Sequence, residues 1–174
     1  MSVFHTIGHS TRTLSEFTAL LREAGLDLIV DVRTVPRSRK NPQFNRETLP
    51  DELASAGIGY VHIPELGGLR GRRKHDVPSP NTFWENDNFR NYADYALTLP
   101  FREGLDRLRQ LGRERAPAVM CAEAVWWRCH RRIITDYLVA ADETVFHIIG
   151  PGAIEPAKIN PAAVRRANGG LIYP

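Results

Sequence analysis

Short runs of apolar residues alternate along this chain with segments in which apolar residues recur every three or four positions. The runs have the length of single strands, and the periodic segments have the pattern of amphipathic helices. Such alternation favours right-handed crossovers and a parallel sheet between two helix layers. We therefore predict one Rossmann-like α/β domain over residues 1–174, a three-layer sandwich with a mainly parallel sheet. Its strands, about five in number, are expected at residues 4–7, 26–32, 60–63, 118–121 and 144–149.

Residue types at the ends of the periodic segments predict where helices begin and end. Thr13 and Glu16 have the spacing of a capping box, so a helix is expected to follow them. Gly25 stands where a left-handed residue would end that helix. Gly112 is expected to end the helix before the fourth strand, and Asn160, followed by a proline, predicts one short helix in the tail.

The loops that leave the first four strands are rich in cations. In a parallel α/β sheet these loops open at one edge, where ligands bind. Loops 33–46 and 66–80 follow the second and third strands and are expected at this edge. A basic face there favours ligands that carry phosphate. The basic side chains and histidines of the four loops are His9, Arg12, Arg33, Arg37, Arg39, Lys40, Arg70, Arg72, Arg73, Lys74, Arg128, His130, Arg131 and Arg132.

The fourth strand leads through a loop with both cysteines into a helix, and a functional site is expected here first. The apolar spacing of residues 133–138 predicts that helix, with Cys129 and His130 at its start. Free N–H groups of the first turn, together with Arg131 and Arg132, would hold a phosphate or carboxylate. The same position lowers the pKa of a thiol such as Cys129. The alternative is that the two arginines are solvated and Cys129 packs as a small apolar residue.

Three acidic residues, Asp31, Glu65 and Glu123, stand at the predicted strand ends. They could orient the basic side chains, serve as a general base or hold a divalent cation. Ion pairing is favoured over metal binding because the acids have no spacing typical of metal ligands.

A zinc site at the cysteine loop is disfavoured. Cys121, Cys129 and His130 would need a fourth ligand from His5 or His9, and no Cys-x-x-Cys spacing is present; His5 and His9 lie four positions apart, but across a strand end. We therefore predict no metal site, and the sequence identifies no cofactor.

The tryptophans of the cysteine loop bear on its chemistry. A phosphatase or sulfurtransferase loop is disfavoured, because seven positions separate Cys121 from Arg128 and both Trp126 and Trp127 intervene. These rings could stack on a base or sugar. Equally, one of them could pack beneath the loop.

Composition narrows the class of protein. The 43% hydrophobic and 25% charged fractions are those of ordinary globular chains. A net charge of +3 is only mildly basic and does not by itself argue for nucleic acid.

No apolar run approaches the roughly 20 residues that cross a bilayer, and the first residues lack a signal-peptide pattern. We predict a cytoplasmic protein with no membrane partner and with both cysteines as thiols. Its oligomeric state is not predicted.

Five segments together resemble a known family. They are Thr6-Ile7-Gly8-His9-Ser10, Asp31-Val32-Arg33 with Pro36-Arg37-Ser38, Pro64-Glu65-Leu66-Gly67-Gly68, Cys121-Ala122-Glu123 and Cys129-His130-Arg131. In this order they resemble the domain of unknown function family numbered 488, which is found in bacteria and archaea. The resemblance implies that these strand-end residues are characteristic positions of the family, and it implies no activity.

These observations define the predicted site and three functional hypotheses. The candidate catalytic residues are His9, Asp31, Cys121, Glu123, Cys129 and His130. The candidate ligand-binding residues are Ser10, Arg33, Arg37, Glu65, Gly67, Gly68, Trp126, Arg128, Arg131 and Arg132. We predict binding of a phosphorylated small molecule, such as a nucleotide, or of nucleic acid, and we leave open whether a reaction follows. The alternatives are a non-catalytic nucleic-acid-binding module and a thiol-redox protein, which requires Cys121 and Cys129 to approach within bonding reach.

Overall fold

The computed structural model describes residues 1–71 and 78–174. Arg72, Arg73 and Lys74, which belong to the predicted basic loop at 66–80, lie outside the described residues. In the described ranges, no helix is long and apolar enough to cross a membrane.

A six-stranded sheet forms the centre of the molecule, with strand order β3-β2-β4-β1-β5-β6. The first five strands in this order are parallel, and β6 pairs antiparallel with β5. The predicted mainly parallel α/β sheet is therefore confirmed, with one additional edge strand that the sequence pattern did not indicate. The strands are β1 (Val3–Gly8), β2 (Leu28–Asp31), β3 (Gly59–His62), β4 (Pro117–Cys121), β5 (Thr144–Gly150) and β6 (Ala153–Pro156). Two further strands, β7 (Val164–Arg165) and β8 (Leu171–Ile172), form a separate ribbon.

Helices cover both faces of the sheet. They are α1 (Leu14–Glu23), α2 (Leu49–Ser55), α3 (Asp87–Tyr95), α4 (Leu99–Glu114) and α5 (Arg131–Ala140). Three-residue 3-10 turns occur at Pro42–Phe44, Pro64–Leu66 and Trp126–Arg128. The capping box at the start of α1 is confirmed in both directions, and Gly25 has the left-handed φ of 71° that the sequence predicted.

The two faces of the sheet have separate apolar cores because successive strand residues point in opposite directions. Alternate residues of the central strands, such as Val30 and Val119, pack with α4 and α5 in one core. Their neighbours, such as Ile29 and Met120, pack with α1 and α2 in the other. All residues of β2 and β4 are buried, as expected for strands covered on both sides.

Two helix predictions were wrong. Gly112 does not end α4, which continues to Glu114. A Cβ at residue 112 would lie 2.2 Å from Cζ of Phe4, so this glycine allows the helix to pack closely against β1. The tail has no helix after Asn160, whose side chain accepts the N–H of Ala162 in a turn. Instead, the buried Tyr173 ties the tail to the domain, and β8 pairs with β7.

Candidate functional site

A cavity of about 470 Å³ lies beside the carboxyl ends of β2 and β4, the edge at which a parallel sheet binds its ligands. Its walls come from the loops after these strands, the start of α5 and the region around the start of α3. Half of the predicted site residues lie on its surface. They are Arg33, Arg37, Gly68, Cys121, Glu123, Arg128, Cys129 and His130.

The two cysteines meet at this cavity. Cys121 ends β4, and Cys129 precedes α5 by two residues. Their Sγ atoms are 2.9 Å apart, although both are free thiols. Both side chains are nearly buried, and both line the cavity. The separation meets the geometric requirement that the thiol-redox hypothesis set.

The surroundings of the pair shift the pKa values of the two thiols in opposite directions. Burial raises the pKa of Cys129, but the hydrogen bond with Cys121 and the neighbouring His130 and Arg131 outweigh it and hold the pKa well below its usual value. Burial, followed by the adjacent Cys129, raises the pKa of Cys121 well above its usual value. Cys129 is therefore the more acidic of the two thiols.

The start of α5 contacts Cys129 through two backbone groups. The backbone N–H of Arg131 donates to Cys129 Sγ at 3.4 Å, and the N–H of Arg132 donates to the Cys129 carbonyl at 3.0 Å. Thiolates are stabilised in this way at helix N-termini.

His130 lies against the sulfur of Cys129 in a fixed orientation. Its Nε2 is 2.8 Å from the carbonyl oxygen of Val32, which can only accept, so Nε2 carries the proton. Nδ1 is then free to accept a proton from Cys129 Sγ, 3.4 Å away. Gly68 makes room for this ring, since a Cβ at residue 68 would lie 2.5 Å from Nδ1.

Arg131 is a buried cation behind the thiol pair. Its side chain is 1% exposed, and its guanidinium donates to Thr6 Oγ1 at 3.2 Å and to the Glu123 carbonyl at 2.8 Å. Among the described residues, no carboxylate pairs with it. A buried charge is stabilised by an opposite charge nearby, and Arg131 is one of the groups that lower the pKa of the Cys129 thiol.

Asp31 and His9 hold Arg33 in place from behind the cavity wall. The Asp31 carboxylate accepts Arg33 Nε at 2.9 Å and Nη2 at 2.7 Å, and all three side chains are buried. His9 donates from Nδ1 to the Ser10 carbonyl and accepts Arg33 Nη1 on Nε2 at 3.3 Å. Burial lowers the pKa of His9 to about 4, so this imidazole is neutral near pH 7. The geometry makes both residues supports for Arg33 rather than groups that face the cavity.

The part of the chain that forms this site matches a known protein family. The family model is described as Domain of unknown function DUF488, and it matches residues 13–138. The match covers most of the chain, including both cysteines, and it begins after the Thr6–Ser10 segment. The chain belongs to the DUF488 family.

Other comparisons add little about the DUF488 domain. No curated protein matches the chain. A crystal structure from Neisseria meningitidis, described as that of a candidate phosphatase, aligns with a TM-score of 0.43 and 13% sequence identity. The alignment covers 82% of this chain and 74% of the other. A similarity of this size carries no argument about function.

The other predicted residues of the DUF488 domain lie away from the cavity. Trp126 stacks on His147 beneath the loop, with ring centroids 4.4 Å apart. Of the two roles considered for this ring, packing and stacking on a ligand, the structure shows packing. The guanidinium of Arg132 lies 4.9 Å from the ring centroid of Trp84, and Glu65 is exposed. The predicted ligand-binding residues that do not line the cavity are Ser10, Glu65, Gly67, Trp126, Arg131 and Arg132.

The sequence did not indicate seven of the residues that line the cavity, nor the side chains of Thr6 and His147 that pack near Arg131. Thr6 Oγ1 bridges Arg131 and the buried His147, whose Nδ1 lies 2.6 Å away. No local pattern marks these residues, because they meet the site through strand pairing and helix packing. The missed lining residues are Thr34, Val35, Leu69, Asn86, Asn88, Phe89 and Ala122. In the described parts of the chain, no three histidine, cysteine or acidic side chains are grouped to hold a metal ion.

Proposed function

We propose that this DUF488 chain binds a small phosphate-bearing ligand in the cavity and reacts with it through the thiolate of Cys129. One observation carries the proposal: Arg131 is buried without a carboxylate partner among the described residues, next to a sulfur that receives the first N–H of α5. The thiolate is the nucleophilic form of cysteine. Its stabilisation beside a cavity is typical of an activated nucleophile rather than of a cysteine that only packs.

The charges at the cavity favour an anionic ligand. Asp31 balances Arg33, whereas Arg37 and Arg128 are exposed and form no ion pair with a described residue. Glu123, also exposed, is the one acid among the lining residues that the structure describes. The two free guanidinium groups can form charge-assisted hydrogen bonds with phosphate oxygens.

The shape of the cavity favours a small molecule over nucleic acid. Its volume, about 470 Å³, lies within the range of small-molecule sites, which is roughly 300–1,000 Å³. The reactive sulfur lies at a nearly buried position, so only a group that enters the cavity reaches it. A nucleic-acid-binding module would instead need basic side chains along an open surface. It remains the second candidate because the cavity rim is basic.

In the proposed reaction, Arg37 and Arg128 hold the phosphate while Cys129 attacks an electrophilic atom of the same ligand, and the group bound to that atom leaves with the bonding electron pair. His130 accepts the thiol proton at Nδ1 and keeps the sulfur ionised. Arg33 is held by Asp31 and forms part of the cavity wall. The Asp31–Arg33 ion pair adds no net charge to the cavity.

Ligand binding can be tested by titrating nucleotides, their nucleosides and single-stranded DNA while following tryptophan fluorescence at several salt concentrations. Mononucleotides should bind and nucleosides should not. Arg128→Ala should weaken nucleotide binding about tenfold, which corresponds to roughly 1.4 kcal/mol. Arg113→Ala, on the exposed side of α4, is the matched control and should have no effect.

Two outcomes would overturn the binding proposal. Equal affinity for nucleosides and nucleotides would show that phosphate is not recognised. Binding of polymers alone, with a steep salt dependence, would favour the nucleic-acid-binding module.

A further inference from the structure

We infer that the reaction at this site is a two-electron reduction, in which Cys129 attacks a reducible bond of an anionic substrate and Cys121 completes the reduction. The substrate class is a small disulfide whose halves carry phosphate, and the final electron donor is an external dithiol. The inference rests on the proposed function for its nucleophile and its anion-binding cavity. It adds a role for Cys121, which simple group transfer to Cys129 does not need.

The geometry of the two sulfurs supports this role. The Sγ atoms are 2.9 Å apart in the thiol state, so little movement is required before a bond forms between them. Both line the same cavity, which means that an adduct on Cys129 forms within reach of Cys121. The cysteines come from different elements, the end of β4 and the loop before α5, and this proximity is therefore a product of the fold.

The first step exchanges one disulfide for another. The Cys129 thiolate attacks one sulfur of the substrate, a bond forms between them, and the substrate S–S bond breaks. One half of the substrate leaves as a thiolate, and the other half remains on Cys129 as a mixed disulfide. Arg37 and Arg128 at the cavity rim favour a substrate whose two halves are both anionic.

The second step follows from the buried charge of Arg131. Once Cys129 is bonded to the substrate, it no longer carries a negative charge, and Arg131 loses its counter-anion. Cys121 also interacts with Arg131, and the Cys129 charge that kept its proton in place has disappeared. Cys121 therefore becomes the new thiolate and attacks Cys129 Sγ. Its proton passes to the second departing half, which leaves as a thiol.

The electrons balance over these two steps. The substrate disulfide gains two electrons and is released as one thiolate and one thiol, while the two cysteines lose two electrons and form the Cys121–Cys129 disulfide. An external dithiol then reduces this disulfide by the same exchange chemistry and is itself oxidised to a cyclic disulfide.

The aromatic anion 5,5′-dithiobis(2-nitrobenzoate) is a suitable probe because it is a disulfide with two carboxylates and releases a coloured thiol. The wild-type full chain should release two equivalents of this thiol and end as an internal disulfide without an adduct, as read by intact mass. Cys121→Ser should release one equivalent and retain the adduct on Cys129. Cys121→Ala is a second variant, in case the serine disturbs the buried site. Cys129→Ser should react many times more slowly than either.

A stable adduct on the wild-type protein would overturn the inference, and so would equal reaction rates of the Cys121→Ser and Cys129→Ser variants. The same samples distinguish this failure from a failure of the proposed function. If a mononucleotide slows the first release of thiol but no internal disulfide forms, the binding site stands and the reduction does not. If the disulfide forms and mononucleotides have no effect, the dithiol chemistry stands without phosphate recognition.

Discussion

Gly8, the last residue of β1, makes the closest backbone approach in the site. A Cβ at this position would lie 1.7 Å from the carbonyl oxygen of Glu123, and real contacts of this kind essentially never fall below 3.0 Å. Gly8→Ala must therefore displace the backbone of the cysteine loop. This displacement would break the hydrogen bond from Arg131 to the Glu123 carbonyl and the bond from the Ser10 N–H to the Ala122 carbonyl.

The expected cost follows from these two bonds. A hydrogen bond from a charged donor contributes about 1.5–3 kcal/mol and a neutral one about 1 kcal/mol, so the free energy of unfolding should fall by about 3 kcal/mol. The same loss releases the guanidinium of Arg131 from one of its anchors. The pKa of the Cys129 thiol should rise as a result, and alkylation at low pH should slow.

Urea unfolding, followed by tryptophan fluorescence, measures the first effect, and the pH dependence of iodoacetamide alkylation measures the second. Gly150→Ala at the end of β5 is the matched control, because no atom lies within 4 Å of a Cβ there. Its free energy of unfolding should stay within about 0.5 kcal/mol of the wild-type value. If Gly8→Ala is as stable as this control, the cysteine loop does not rest on β1 as described.

Three further changes test separate parts of the structure. Asp31→Asn leaves the buried Arg33 without its counter-charge and should lower the free energy of unfolding by about 3–5 kcal/mol in urea titrations; an unchanged midpoint would contradict the buried pair. Gly68→Ala should displace the ring of His130 and slow alkylation of the thiolate, whereas Gly71→Ala, which has open space around it, should do neither. Burial lowers the pKa of His147 to about 4, so the unfolded state takes up its proton first as the pH falls. The contribution of His147 to stability should then fall by about 3 kcal/mol between roughly pH 6.5 and 4, beside a separate contribution from His9. His147→Gln should remove the first of these in urea titrations at each pH; an unchanged slope would refute it.

The sheet could be predicted because its central strands are marked by local apolar runs in the sequence. Apolar runs in β2 and β4 indicated strands covered on both faces, and the structure confirms this. The capping box of α1 depends on residues three positions apart, so sequence alone identifies it. Gly112 was misread because a glycine inside a helix has the same local appearance as one at its end, and only the contact with Phe4 distinguishes the two.

Sequence alone determined the fold class and the strand-end loops and indicated the Cys121–Cys129 segment as a candidate site, because periodicity and motif order are local properties of the chain. The tertiary structure decided which residues of these loops face the cavity. Arg131 and Arg132 are adjacent in sequence, yet one is buried behind the thiols and the other packs against Trp84. Which of the two thiols is the more acidic was likewise decided by the tertiary structure, since burial and neighbouring charges from several elements shift both pKa values.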